Sequence, residues 1–159
     1  MLRYADYDIV FREIPDEVTL AVNLTGCPNR CPGCHSPYLQ RDEGQVLTEE
    51  VLCGWLRRYE GAVTCLCFMG GDGDPARVAE LARSVREQGL VKTAWYSGRT
   101  ELPADCDREA FDFIKLGPYV ERLGALDRPT TNQRLYRIER GADGRAARLV
   151  DITSCFWRQ

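Results

Sequence analysis

The chain has 159 residues, a formal net charge of −3 with both signs mixed throughout, and 44% hydrophobic residues. That is one domain's length, sufficient for a core that needs no disulfide staples, and the charge balance offers no basic face for a nucleic acid. No apolar run approaches the roughly 20 residues of a membrane-spanning helix, and Met1 to Asp8 is acidic and aromatic where a secretion signal would be basic and then apolar; a single cytoplasmic domain over 1–159 is expected.

Val18, Leu20, Val22 and Leu24 alternate with smaller or polar residues, the period of a strand. The preceding segment, Tyr7 to Ile14, is expected to pair with it as a hairpin. The strand runs directly into Gly26-Cys27. Thr48, followed by Glu49 and Glu50, reads as a helix N-cap with acids in the first turn. Val51, Leu52, Trp55, Leu56 and Tyr59 then share a helical face, and Gly61 closes the helix. Val63 to Met69 is a continuous apolar run, as in a strand buried on both faces. Asp74 caps a second helix that begins at Pro75 and ends at Gly89. Val91 to Tyr96 and Phe111 to Leu116 are two more strands. Gln133 to Glu139 and Ala146 to Ile152 flank a turn containing Asp143-Gly144, predicting a terminal hairpin.

Alternating strands and helices define βαβ units and a parallel sheet. Right-handed crossovers curl such units into an open sheet or part of a barrel. The loops Cys27–Cys34, Gly70–Asp74 and Ser97-Gly98 all follow strands, on the edge where parallel α/β proteins bind ligands.

Eight cysteines in a protein of a reducing compartment point to metal or chemistry rather than disulfides. Three of them are concentrated in Cys27-Pro28-Asn29-Arg30-Cys31-Pro32-Gly33-Cys34-His35. Clustered thiolates suit zinc or an iron–sulfur cluster. Zinc would need a fourth ligand, and His35, the only histidine, is adjacent to Cys34. A four-iron cluster normally takes four cysteines; with three, one iron stays open to a substrate. A site that binds no metal is the third reading. Cys65 and Cys67 fall on one face of a buried strand and read as core residues. The tail Thr153–Trp157 carries Cys155 between polar and aromatic neighbours, and is expected to dock on its own domain.

The C-x3-C-x2-C spacing directly after the first long strand resembles the radical S-adenosylmethionine enzymes. The whole chain resembles more closely the activating proteins of anaerobic (class III) ribonucleoside-triphosphate reductases. That resemblance rests on the Cys-Pro-Gly-Cys-His ending of the loop, Gly70-Gly71-Asp72, Gly117-Pro118, Thr131-Asn132-Gln133-Arg134-Leu135 and the short length. It implies a partial (β/α) barrel of the radical S-adenosylmethionine type, with hairpins at both ends. It also implies a 4Fe-4S cluster on Cys27, Cys31 and Cys34, reduced by a flavodoxin-like donor. The open iron would hold S-adenosylmethionine, whose reductive cleavage gives a 5′-deoxyadenosyl radical. That radical would remove a hydrogen from a glycine of the large reductase subunit.

In the same terms, Gly70, Gly71 and Asp72 would hold the methionine amino group. The chain departs from relatives reading Gly-Gly-acid-Pro, because Gly73-Asp74 intervenes, leaving open which carboxylate faces inward. Ser97 with Gly98 would approach the ribose and methionine portions, or form a plain turn. Lys115, within an apolar strand, would meet the methionine carboxylate, or snorkel to the sheet edge. His35 would shape the cluster surroundings or stack near adenine, since Gly33 stands where many relatives have an aromatic residue. Competing functions are an activase of another glycyl-radical enzyme, a radical enzyme for a small substrate, a zinc-binding interaction module, and a redox carrier.

Overall fold

The computed structural model describes residues 1–29, 41, 43–104 and 106–157. Eight strands form one mixed sheet: β1 (Arg3–Val10), β2 (Thr19–Leu24), β3 (Gln45–Val46), β4 (Cys65–Met69), β5 (Lys92–Tyr96), β6 (Phe113–Leu116), β7 (Arg134–Arg140) and β8 (Ala146–Asp151). Their spatial order is β3-β1-β2-β4-β5-β6-β7-β8. The central block β2-β4-β5-β6 is parallel, and the hairpin partners on either side are antiparallel. Two helices, α1 (Glu49–Arg58) and α2 (Pro75–Glu87), precede β4 and β5. This is a mixed α/β fold, and among the described residues no helix is long and apolar enough to cross a membrane.

Both helices pack on the same face. Leu52 and Leu56 of α1 join Val78, Leu81, Ala82 and Val85 of α2 in one core with Leu20, Leu66, Phe68, Trp95 and Ile114 of the sheet. Thr48 accepts from the Val51 amide at the start of α1, and Asp74 from the Arg77 amide at the start of α2. The opposite sheet face holds Cys65, Cys67, Ala94, Phe113 and Leu135, packed against Ile14, Leu126 and Phe156 of the short 3-10 helix Thr153–Trp157. β4 is therefore buried on both sides, as its apolar run requires. Burial holds the Cys65 and Cys67 thiols, and the Tyr96 phenol beside them, protonated far above their ordinary ranges. Neutral thiols of this kind pack; they do not act as nucleophiles.

The expected elements are present with two differences. The first strand spans Arg3–Val10 instead of Tyr7 to Ile14. Its register is anchored by Tyr4 and Tyr7, whose rings pack on Trp55 of α1, and it pairs with β2 through a bulge between Tyr4 and Asp6. Phe11 lies beyond its end and is 68% exposed. The two-residue strand β3 is too short to leave a periodic signal. The C-terminal tail docks on its own domain: the Trp157 indole N–H donates to the Leu126 carbonyl at 3.0 Å, and Phe156 packs against the core on the sheet face opposite α1 and α2.

Candidate ligand edge and metal centre

The C-terminal ends of β2, β4, β5 and β6 meet along one edge. The cysteine loop leaves the sheet there and its base is pinned. The Gly26 amide donates to the Arg41 carbonyl at 2.8 Å, and the Thr25 hydroxyl to the Glu43 carbonyl at 2.5 Å. Cys27 is half-buried and free of a disulfide. Cys31, Cys34 and His35 lie outside the described residues.

Asp72 is the centre of what is described. It is 5% exposed, and three donors converge on its carboxylate. The Ser97 hydroxyl donates to Oδ1 at 2.6 Å, and the Gly98 amide and the Asn29 side-chain amide donate to Oδ2 at 2.8 and 2.5 Å. A carboxylate offers about four acceptor sites, and donors among the described residues take one on Oδ1 and two on Oδ2. Asp74 points elsewhere, since its side chain caps α2. The inserted Gly73-Asp74 thus supplies the helix cap while Asp72 turns inward.

The adjacent glycines are required by packing and backbone conformation. Gly70 has φ +100° and Gly71 φ +91°, and a Cβ on Gly71 would lie 2.6 Å from Val78 Cγ2 and 2.8 Å from Leu24 Cδ1. Gly71 is therefore closed by the protein's own core rather than by space for a ligand. The Trp95 indole fixes the same turn, donating to the Gly70 carbonyl at 2.7 Å.

Lys115 is 8% exposed, with its ammonium turned to the ligand edge. Nζ donates to the carbonyls of Ser97 and Gly117, 3.0 Å each, and stands 5.5 Å from the centre of the Tyr96 ring. The Gly117 turn is held from the other side. Thr131 accepts from the Gln133 amide and donates to the Gly124 carbonyl, and Asn132 donates to the Pro118 carbonyl. The segment Thr131–Gln133 is thereby tied to the end of β6.

The structure thus brings Asp72, Ser97 and Lys115 into one hydrogen-bonded series and joins Cys27 to it through Asn29, whose Nδ2 lies 3.7 Å from Cys27 Sγ. Asn29 escapes a reading of the sequence because its carboxylate partner is 43 positions away; only its place between two clustered cysteines marks it.

Fold and site define a class: an α/β domain with a cysteine loop and a buried carboxylate at the C-terminal edge of its parallel strands. Residues 17–118, well over half of the chain, match the family model described as a 4Fe-4S single cluster domain, and the chain belongs to that family. Neither a curated protein nor a solved structure matches it. The cysteine loop suits the cluster that the family name carries. Cys27 presents a partly exposed thiol whose sulfur, among the described residues, accepts from the Asn29 side-chain amide, compatible with a thiolate ligand.

Proposed function

We infer that this domain is the activase of an anaerobic ribonucleoside-triphosphate reductase, and that Cys27, Cys31 and Cys34 hold the cluster while Asp72 receives the amino group of S-adenosylmethionine. The observation that carries this is the buried Asp72 carboxylate beside the cysteine loop, whose Oδ1 accepts a single donor among the described residues. Three neutral donors orient the Asp72 carboxylate, and a charge-assisted hydrogen bond to an ammonium group is about twice as strong as a neutral one. Lys115, two strands away on β6, is the complementary cation for the ligand's carboxylate, and Ser97 at the end of the intervening β5 lies between them. Cys27, Cys31 and Cys34 would hold the cluster, which when bound and supplied by a flavodoxin-like donor would provide the electron for reductive cleavage of S-adenosylmethionine and so allow a hydrogen atom to be taken from a glycine of the partner.

The winding of the sheet supports the partial-barrel reading. The parallel block runs β2-β4-β5-β6 in chain order with α1 and α2 on one face, the single winding of a barrel segment, whereas a doubly wound sheet reverses its order and carries helices on both faces.

The test is anaerobic reconstitution with iron and sulfide, chemical reduction, and assay for 5′-deoxyadenosine, followed by incubation with the reductase large subunit and electron paramagnetic resonance for a glycyl radical. Wild type is expected to give both signals and Cys31→Ala neither. A colourless protein holding one zinc and making no 5′-deoxyadenosine overturns the proposal. Cofactor cleavage without a radical on the reductase reassigns the partner to another glycyl-radical enzyme.

A further inference from the structure

The single side-chain nitrogen of Asn29 faces two acceptors, Cys27 Sγ at 3.7 Å and Asp72 Oδ2 at 2.5 Å. A primary amide has two N–H bonds, so one nitrogen can serve both at once. The approach is tight on a third side: a Cβ added to Gly98 would lie 2.6 Å from Asn29 Nδ2 and 3.2 Å from its Cγ. Gly98 has no positive φ, so its missing side chain is explained by room for the amide and not by backbone conformation.

We propose that Asn29 is a positioning and tuning residue, linking the first cluster cysteine to the carboxylate that receives the cofactor. The inference rests on the cluster reading above and goes beyond it. One N–H ties the cysteine loop to the end of β4, which sets the distance between the metal centre and Asp72. The other donates to the sulfur of a cluster ligand and stabilises the more negative, reduced state of the cluster. Hydrogen bonds to the sulfurs are among the determinants of iron–sulfur potentials, and loss of a bond to a metal ligand typically costs 10–100-fold in metal affinity.

The variants are Asn29→Ala, which removes both donors; Asn29→Asp, which sets a carboxylate against Asp72; and Gly98→Ala, which leaves Asn29 intact but occupies its space. Each is reconstituted anaerobically, its iron and sulfide counted, and its midpoint potential measured by redox titration followed by electron paramagnetic resonance, without S-adenosylmethionine. The expected result is a lower midpoint potential in Asn29→Ala and Gly98→Ala, and a still lower one in Asn29→Asp, with about 10–100-fold weaker retention of iron against a chelator. A wild-type protein that takes up a cluster, with a potential unchanged in Asn29→Ala, overturns the role of Asn29 and leaves the cluster reading standing. A wild-type protein that takes up no cluster overturns the cluster reading itself. If Asn29→Ala does not fold, Gly98→Ala decides the question, because its own backbone tolerates the added methyl.

Discussion

Replacing Asp72 separates its structural role from its proposed role in binding. Asp72→Ala removes the acceptor of three donors. The Gly98 amide and the buried Ser97 hydroxyl lose their partner, while Asn29, half-buried, can turn to water. Each buried donor left unpaired costs about 1–3 kcal/mol, so this variant should lose about 2–5 kcal/mol, a large part of a typical stability of about 5–15 kcal/mol. Asp72→Asn is nearly isosteric. Its carbonyl oxygen, placed at the present Oδ2, keeps Gly98 and Asn29, and its amide faces Ser97 Oγ, which already accepts from the Arg99 amide at 3.1 Å. The structural loss should therefore be near 1 kcal/mol. Binding should respond differently, since the neutral amide cannot offer a charge-assisted bond to an ammonium; losing about 1.5–3 kcal/mol corresponds to roughly 10–150-fold weaker binding. Urea melts of the apoprotein measure the first quantity, and equilibrium dialysis of S-adenosylmethionine against the reconstituted protein the second. An Asp72→Asn protein that melts near wild type and binds S-adenosylmethionine equally well would refute the assignment of Asp72 to the amino group.

Two stability predictions test the packing around this edge. Gly71→Ala forces a side chain onto a backbone at φ +91° and into Val78 and Leu24, which should cost about 3 kcal/mol from conformational strain and overpacking. Gly73→Ala, whose Cβ would come no closer than 3.7 Å to the Gly26 carbonyl, should stay within about 0.5 kcal/mol of wild type in the same urea melts. Stability should also fall in alkali. The Cys65 and Cys67 thiols stay protonated in the folded protein but ionise in the unfolded chain near pH 8.5. Above that pH the unfolded state binds fewer protons, so stability declines as pH rises, by about 1.4 kcal/mol per pH unit for each thiol. By pH 10 the two together should remove about 4 kcal/mol, and the Lys92–Glu17 pair adds in the same direction once lysine titrates. A Cys65→Ala/Cys67→Ala double variant should show a flatter decline; an unchanged slope would place the alkaline loss elsewhere.

What could be read in the sequence followed from local chemistry. Asp74-Pro75 announces a helix start because a carboxylate can accept an orphan amide and proline has none to lose. The β4 run announces a strand covered on both faces because every residue in it is apolar. What could not be read depended on pairing across the sheet. The start of β1 is set by Tyr4 and Tyr7 meeting Trp55, some 50 positions away, while Ile9-Val10-Phe11 alone pulls the apparent strand toward the loop. The choice between Asp72 and Asp74 was open for the same reason: both are short acids in a glycine-rich turn, and only the neighbouring ends of β5 and the cysteine loop decide which one is enclosed. Asn29 had no local signature, because its meaning lies wholly in Cys27, Asp72 and Gly98 converging on it.

Ser97 explains why a pair of opposite charges can stand at this edge ready for a ligand. Its hydroxyl donates to Asp72 and its carbonyl accepts from Lys115, so one residue at the end of β5 serves the carboxylate in the loop after β4 and the lysine on β6. Neighbouring parallel strands lie about 4.8 Å apart, and β5 between them keeps the two end positions about two strand spacings from one another. An α-amino acid carries its ammonium and carboxylate on one carbon and has room to lie across such a gap, with each group toward its opposite. Both side chains are already held by hydrogen bonds, so little side-chain entropy would remain to be lost on binding a ligand. The two carbonyls partner the Lys115 nitrogen in a largely apolar strand, where an unbonded ammonium would be costly. Under the proposed function this edge would receive a zwitterion, and the base of the cysteine loop is pinned beside it at Gly26 and Thr25.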